Sequence, residues 1–575
     1  MRAVAEPITY RAGAGTATGT VDADPIMTEV IRHGLNSAAN QMKRALIRTA
    51  FSPVIYEVLD FAVAIYDRDV RLLAQAPSLP LFMGTMNFCI DAAVEAVGGE
   101  EALEPGDIIL YNYPYGTGSH PQDAAVVMPI YLRDEELIGY STIKGHWLDI
   151  GGKEPYSTDT VDVFQEGTIF PGVKLYSRGE RVDDIYRMAL ANSRVPKMVA
   201  GDINAEVVGV RTATAAVLRL VEKYGLETFQ TSVERMFDHG EQVVRAYFEK
   251  LPDGRYVGQG QMDNNGLDDN PVPFEVAVEV LGSTVRVDFT NSPDAHPGPI
   301  NCPIASTVSA SRIAITMLAG SGESPNEGHF RPIEVVARPG SMFHPVAPSP
   351  CFLYGWPAMQ SMEVIYDAVA KAMPTAVPAC SGGDICALVW WGVREETGEP
   401  WADGSPHPVG QGASVHHDGA NSLLHHAEAA TRFSPTEVWE SKNPWLLEKV
   451  ELAPDSGGAG LHRGGLGVDL FFQAREDMYV TAAVERTKTA PWGLEGGLAA
   501  RPNGAAMRLP DGSRTYFGKA TRLKVPKGAT IELYNGGGGG YGDPAERDPE
   551  AVHDDVREGY FTEEFSRRNY PHAFD

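Results

Sequence analysis

Hydrophobic positions along this chain change their spacing several times, and each change predicts an element. Asp24 followed by Pro25 has the form of a helix N-cap with proline at the first helical position. Ile26, Val30, Ile31, Leu35, Met42, Leu46 and Ile47 then recur at helical intervals. The run from Phe61 to Leu73 predicts a hairpin turning at Asp67-Arg68-Asp69, with Asp60 at its entrance, and "GDIILYNYPYG" predicts a strand entering a glycine-rich loop. Ala124 to Leu132 and Leu137 to Ile143 are apolar and β-branched, and the polar Arg133-Asp134-Glu135-Glu136 between them makes a second hairpin. After His146 the segment "LDIGGKEPYSTDTVDVFQEGTIFPG" loses periodicity, as functional loops do. Val207, Val208, Ala213, Val217, Leu220 and Val221 share a helical face that stops at Gly225, and Val233 to Leu251 predicts another helix.

From about 255 the texture shifts to short strands and turns. "FEVAVEVLGSTVRVDFT" is a hairpin bending at Gly282-Ser283, while Thr307 to Gly320 and Met359 to Met373 are helical between loops. The last third is strand-rich and punctuated by glycine, and the acidic tail from Asp543 reads as helical, a clasp for another subunit. The expected fold class is α+β and multi-domain, with mixed helices and largely antiparallel strands. The soft boundaries give a peripheral arm at 1–23, a site-bearing domain at 24–254, an α+β middle domain at 255–375 and a strand-rich region with a helical tail at 376–575.

The second hairpin carries the candidate chemistry. With its turn centred between Asp134 and Glu135, residues whose numbers sum to about 269 face each other, so Asp123 faces His146 with Cβ atoms roughly 4.5–5.5 Å apart. His120 lies just before the strand, near the same end. Two imidazoles and a carboxylate converging there suit a divalent cation. The same residues also suit ordinary polar positions at strand ends, and a one-residue slip would turn a side chain to the other face.

Composition narrows the classes. A chain of 575 residues with 43% hydrophobic and 22% charged residues has the make-up of an ordinary globular protein of two to four domains. Its net charge of −28 and lack of any Lys/Arg run argue against sequence-independent binding to nucleic acid or to an anionic membrane. Five scattered cysteines (Cys89, Cys302, Cys351, Cys380, Cys386) form no disulfide framework. No signal-peptide core and no apolar run of about 18 residues is present, so a cytoplasmic location is expected. "SGGAGLHRGGLG" lacks the Lys-Ser/Thr pair of a phosphate loop and is expected to be turn-rich packing; the five glycines of "NGGGGGYGD" imply close backbone approach or a mobile flap. His416, His417, Asp418, His425 and His426 read as a solvated or interface loop rather than a metal site.

The ordered stretches "DFAVAIYDRDVRLLAQAP", "YNYPYGTGSHPQDAAVVMPIY", "GHWLDIGG", "FQEGTIFPGVKL", "NSRVPKMVAGDINAEV", "DSGGAGLHRGGLG", "PWGLEGG" and "GGGGYGDPAERDPE" resemble the hydantoinase B/oxoprolinase family from about Pro25 to about Thr562. That family includes subunits of ATP-dependent hydantoin, 5-oxoproline and lactam hydrolases and of biotin-independent acetone and acetophenone carboxylases. The resemblance implies metal ligation by Asp60, His120, Asp123 and His146, a set that suits zinc, manganese or iron. Two positions depart from the pattern: Asn112-Tyr113-Pro114 where many relatives have Asn-Asp-Pro, and Gly145-His146-Trp147 where many have adjacent histidines. The substrate is therefore not carried over.

The resemblance further implies a hydantoinase A-like ATPase subunit as partner in a hetero-oligomer of (αβ)n type, with ATP used there to phosphorylate an enol or imidate oxygen. Asp149 is a candidate to orient a ligand or accept a proton, or is a turn residue before Gly151-Gly152; Glu166 is a weaker catalytic candidate. The expected reaction is ATP-dependent hydrolysis of a cyclic amide, and the alternative is ATP-dependent carboxylation of a ketone, to which Trp147 and Tyr113 would contribute an aromatic lining. A non-catalytic scaffold for an ATPase is the third reading.

Overall fold

The computed structural model describes residues 5–13, 24–320, 322 and 324–574. Of the expected arm at 1–23, residues 1–4 and 14–23 lie outside the described residues, and Ile8–Tyr10 form a strand antiparallel to Ile333–Ala337. The fold is α+β and multi-domain. The chain divides into two compact units: Met1–Lys153 with Thr160–Val257 and Glu275–Ala358, and Glu154–Asp159 with Gly258–Phe274 and Met359–Asp575.

The first unit is organised by a long helix, α1 (Pro25–Thr49), whose Asp24 cap accepts the Ile26 N–H at 2.9 Å. It buries Ile31, Leu35, Ala38, Ala39, Met42 and Leu46, the stripe its spacing predicts. Ile26 and Val30 are exposed, because they lie off the helix face that buries Thr28, Ile31 and Leu35. Helices α2 (Pro196–Tyr224) and α3 (Leu226–Phe248) are divided by Gly225, whose φ of 85° is where a helix stops cheaply. Val208 faces outward rather than sharing the buried face of α2.

Beneath α1 and α2 lies a seven-stranded antiparallel sheet of β1 (Phe61–Asp67), β2 (Leu72–Gln75), β3 (Ile108–Tyr111), β4 (Asp123–Leu132), β5 (Glu136–His146), β6 (Pro171–Ser177) and β7 (Glu180–Arg181), in the order β2-β1-β5-β4-β3-β6-β7. All of β1 is buried, as is β5 after its first residue. The β4–β5 turn differs from the expected one. Arg133 and Asp134 both take left-handed φ, 56° and 58°, and Leu132 pairs with Glu136, so the bend centres on Asp134. A bulge then inserts Ile138 between the pairs Tyr131–Leu137 and Ile130–Gly139, and beyond it the register returns to the predicted one.

The second unit holds two antiparallel sheets. One runs Pro400–Ser405, Ala387–Val393, Met478–Ala483, Lys519–Val525; the other runs Trp445–Leu452, Val468–Ala474, Thr530–Tyr534, Gly504–Arg508, Arg514–Phe517. Trp390, Trp439, Trp445 and Phe472 fill their core. The two glycine-rich stretches pack as bare backbone: Gly538 N–H donates to Gly465, Gly539 to Cys380 and Gly540 to Leu498 at 2.8–3.0 Å. The helices of the tail, Pro549–Arg557 and Glu563–Asn569, bury their apolar face on their own unit, where Asp555 pairs with Arg463 at 2.9 Å and the Tyr570 hydroxyl accepts from Gly460 N–H at 3.0 Å. The five cysteines are free and buried. Among the described residues no helix is long and apolar enough to cross a membrane.

A Cβ on Gly538 would lie 1.9 Å from the Gln411 carbonyl oxygen, and backbone cannot rotate away. Gly538→Ala is expected to lower stability by more than about 3 kcal/mol, beyond ordinary overpacking. Gly512→Ala, at φ 87° with open space around it, is expected to cost only about 1–2 kcal/mol. Urea denaturation of both variants checks the contrast, and equal losses would contradict it.

Candidate metal centre

Three segments meet at one end of the β4–β5 hairpin. The register sets Asp123, the first residue of β4, opposite His146, the last of β5. His120 follows Gly118, which turns the chain at φ 81°. Asp60 is delivered by a π-helical turn (Val54–Val58) and a left-handed Leu59 at φ 65°, a wide, irregular turn of the kind found at functional sites. Backbone bonds lock the segments together: His146 N–H donates to the Asp60 carbonyl at 3.1 Å, and Trp147 N–H to the Gln122 carbonyl at 2.8 Å.

The donor atoms converge. His146 Nδ1 lies 2.8 Å from Asp123 Oδ1 and 4.0 Å from Asp60 Oδ2, while His120 Nε2 lies 3.1 Å from Asp123 Oδ1 and 3.2 Å from His146 Nδ1. His120 Nδ1 is 2.9 Å from the Phe352 carbonyl, which can only accept, so Nδ1 carries hydrogen and neutral His120 presents a lone pair at Nε2. That lone pair faces a carboxylate oxygen, an arrangement that repels unless a proton or a cation lies between them. Asp60 Oδ1 is buried without a hydrogen-bond partner. The donor atoms of His120, Asp123 and His146 lie close enough to one another to share a divalent ion held at about 2.0–2.2 Å, and Asp60 stands beside that trio, 4.0 Å from His146 Nδ1. The Asp60 side chain keeps 25% exposure against 7% for each histidine and none for Asp123, so the pocket opens on the Asp60 side.

Burial pushes Asp60 up to about 6, against the pull of the histidines. Burial would also raise Asp123, yet the two imidazoles hold it well below the ordinary carboxylate range. His146 is drawn down by burial, and the Asp123 bond and the Asp60 charge outweigh that and raise it.

A second layer orients these groups. The Tyr354 hydroxyl donates to Asp123 Oδ2 at 2.9 Å, and the Tyr354 and Phe352 rings pack on His120 at 5.2 and 4.9 Å. Asp202 accepts the Phe51 and Ser52 N–H groups at 2.8 and 3.0 Å, fixing the approach to Asp60. Lys144 is wholly buried, donating to the Thr85 hydroxyl and the Thr117 carbonyl at 3.0 and 2.9 Å above the Phe82 ring. Phe352 and Tyr354 carry no signal at the spacing of the other ligands, lying 232 and 231 positions beyond their partners.

Other candidates are placed elsewhere. Asp149 is tied to Arg194 at 2.5 Å and to the Gly151 N–H at 3.2 Å. Glu166 is buried among loop backbone and pushed up to about 8 by burial. Trp147 is fully buried and donates through Nε1 to Glu206 at 2.9 Å, and Tyr113 packs edge-on against Tyr115 at 5.1 Å. The histidine patch, expected as one solvated loop, splits in two. His416 and His417 are exposed or partly so, whereas His425 is buried against Glu363, its Nε2 lying 3.2 Å from Oε1, with His426 stacked beside it. Those three could group around an ion. However, His425 Nδ1 accepts the Ala427 N–H, so Nε2 carries the hydrogen and donates to Glu363 rather than ligating.

A profile of the hydantoinase B/oxoprolinase family matches residues 24–544, and the chain belongs to that family. It is 31% identical over 572 residues to a protein of Pseudomonas sp. (strain NS671) named as the B component of a D-/L-hydantoinase, covering 94% of each chain. It is 28% identical over 575 residues to the beta chain of the caprolactamase of Pseudomonas jessenii, covering 96% of each, and 26% identical to the 5-oxoprolinase of Dictyostelium discoideum, covering 92% of this chain and 41% of that one. The crystal structure of the ATP-dependent caprolactamase from Pseudomonas jessenii superposes with a TM-score of 0.87 at 26% identity over 96% of each chain. A nucleotide-free acetone carboxylase shares the fold, with a TM-score of 0.85 at 20% identity over 95% of this chain and 79% of that one.

Burial holds the Glu206 carboxyl well above its ordinary value of 4.5, so it stays protonated where the unfolded chain ionises. A raised acid loses stability as pH climbs above that value, by at most about 1.4 kcal/mol per pH unit. Glu206→Gln keeps an acceptor for Trp147 and removes this loss. Its advantage over the native chain is expected to widen between pH 5 and pH 8 in urea midpoints; a constant gap would refute the assignment.

Proposed function

We propose that the chain is the metal-dependent subunit of an ATP-dependent cyclic-amide hydrolase of the hydantoin, 5-oxoproline or lactam type. The observation that carries this is the lone pair of His120 facing the Asp123 carboxylate beside His146, with a buried, unpartnered Asp60 oxygen next to them, in a chain of this family. Hydrolysis is favoured over carboxylation because relatives at 28–31% identity are named for hydantoins and caprolactam, while the acetone carboxylase likeness is one of fold.

An unstrained amide is a poor electrophile, so ATP is spent to activate it. The chain has no phosphate-loop motif, and the reading assigns that step to a hydantoinase A-like ATPase partner in an (αβ)n complex in the cytoplasm. The Dictyostelium discoideum 5-oxoprolinase, of which this chain matches 41%, leaves room for such an activity on one polypeptide. The phosphorylated intermediate would then reach the pocket formed by the four ligands.

Asp60, His120, Asp123 and His146 would hold zinc, manganese or iron, which supplies charge for the carbon–oxygen unit and acidifies bound water to a pKa of roughly 7. His120 is fixed in the Nδ1–H tautomer by Phe352, so its Nε2 lone pair points inward. Tyr354 restrains Asp123 from rotating. Asp60 Oδ1, buried and without a hydrogen-bond partner, is able to accept one from a nucleophile inside the pocket.

Co-purified with a hydantoinase A-like ATPase subunit, the protein is expected to carry one transition-metal ion per chain by elemental analysis. The complex is expected to open hydantoin, 5-oxoproline or caprolactam only with ATP. His146→Ala is expected to lose the ion and at least 100-fold of the activity. Incorporation of labelled bicarbonate into product would replace hydrolysis by ketone carboxylation, and a metal-free, fully active His146→Ala complex would leave only a scaffold.

A further inference from the structure

We infer that Glu166 is a positioning residue that sets the orientation of His120 and of the strand start at Asp123 without touching either, an inference that rests on the proposed metal site. Its carboxylate is wholly buried, and Oε1 accepts three hydrogen bonds: from the Thr160 hydroxyl at 2.9 Å, the Cys351 N–H at 2.7 Å and the Phe352 N–H at 2.8 Å. The next atoms along that backbone reach the site, for the Phe352 carbonyl is the acceptor that fixes His120 Nδ1–H at 2.9 Å. Glu166 also acts from its own backbone. Its carbonyl accepts from Gln122 Nε2 at 2.8 Å, and Gln122 both precedes Asp123 and accepts the Trp147 N–H next to His146.

One buried residue therefore braces two of the arms that carry ligands. Residues 350–354 are also fastened by Leu353 N–H to the Pro299 carbonyl at 2.9 Å, Tyr354 N–H to the Cys351 carbonyl at 3.0 Å, and Asn301 to the Pro350 carbonyl at 2.8 Å. None of these three holds the amide of Phe352. Without the Glu166 acceptor, two adjacent N–H groups would be left buried and unpaired, and the segment would rotate to satisfy them. The Phe352 carbonyl would turn with it, releasing His120 to change tautomer or ring angle. Partners behind metal ligands commonly account for 10–100-fold in affinity.

A loop fastener would affect stability alone, so the test reads the ligand field. Co2+ is titrated into the full chain and followed by its visible absorption, with His146→Ala as the binding-null reference. Glu166→Ala is expected to weaken Co2+ binding 10–100-fold and to shift the absorption bands. Glu166→Gln, which keeps an acceptor oxygen, is expected to stay within about threefold of the native chain. Asp162→Ala removes the cap of the neighbouring turn, where Gln165 N–H donates at 3.1 Å; it is expected to lower stability and leave the cobalt spectrum unchanged. Should Glu166→Ala not fold, Thr160→Val removes one of the three bonds and is expected to give a smaller loss with a band shift. A folded Glu166→Ala, or failing that Thr160→Val, with native affinity and spectrum overturns the inference alone. A native chain that takes up no Co2+ overturns the metal reading and this inference together.

Discussion

Everything at the candidate centre depends on the register of the β4–β5 hairpin. Side chains alternate across a sheet, so a slip of one residue would send Asp123 and His146 to opposite faces. Two local features keep that from happening: the left-handed pair at Arg133 and Asp134, and the bulge at Ile138 that restores the pairing beyond it. After its first residue β5 is buried throughout, so a slipped hairpin would also displace its packed side chains. The register is thus held by burial along the strand, while its end carries the candidate ligands.

The electrostatics follow from that placement. Asp123 and the two histidines are almost without water, and a buried charge is tolerated only when partnered. One oxygen of Asp123 accepts the Tyr354 hydroxyl, and the other lies 2.8 and 3.1 Å from the two imidazoles. The pocket leaves Asp60 Oδ1 buried and under-satisfied. The neighbouring Glu206 carboxyl is raised well above its ordinary value by burial, so it adds little negative charge near the centre.

Much of the architecture was legible because it is local. The stripe on α1, the stop at Gly225, both hairpins and the opposition of Asp123 and His146 follow from period, turn residues and pairing arithmetic. What escaped was non-local or directional. Ile26, Val30 and Val208 fit a helical period yet face water, since periodicity says which residues share a face and not where the neighbour ends. Phe352 acts through a backbone carbonyl, which any residue possesses, and Tyr354 through a hydroxyl more than 200 positions away. His425 was read with its loop neighbours because only its partner, Glu363 on a distant helix, makes it a core residue. The glycine runs were legible as close approach, but not as a layer built from one another's backbones.

The late arrival of Phe352 and Tyr354 has a consequence during synthesis. A nascent chain carries Asp60, His120, Asp123 and His146 long before those two residues leave the ribosome, an interval of roughly 10–40 s at ordinary elongation rates. Throughout it His120 lacks the acceptor that fixes its tautomer and Asp123 lacks its hydroxyl donor. A half-made polypeptide would therefore grip any ion loosely and let it exchange. An ion held by the proposed ligands would then be selected only once the first compact unit is complete, from the cell's free-ion pool rather than by first encounter.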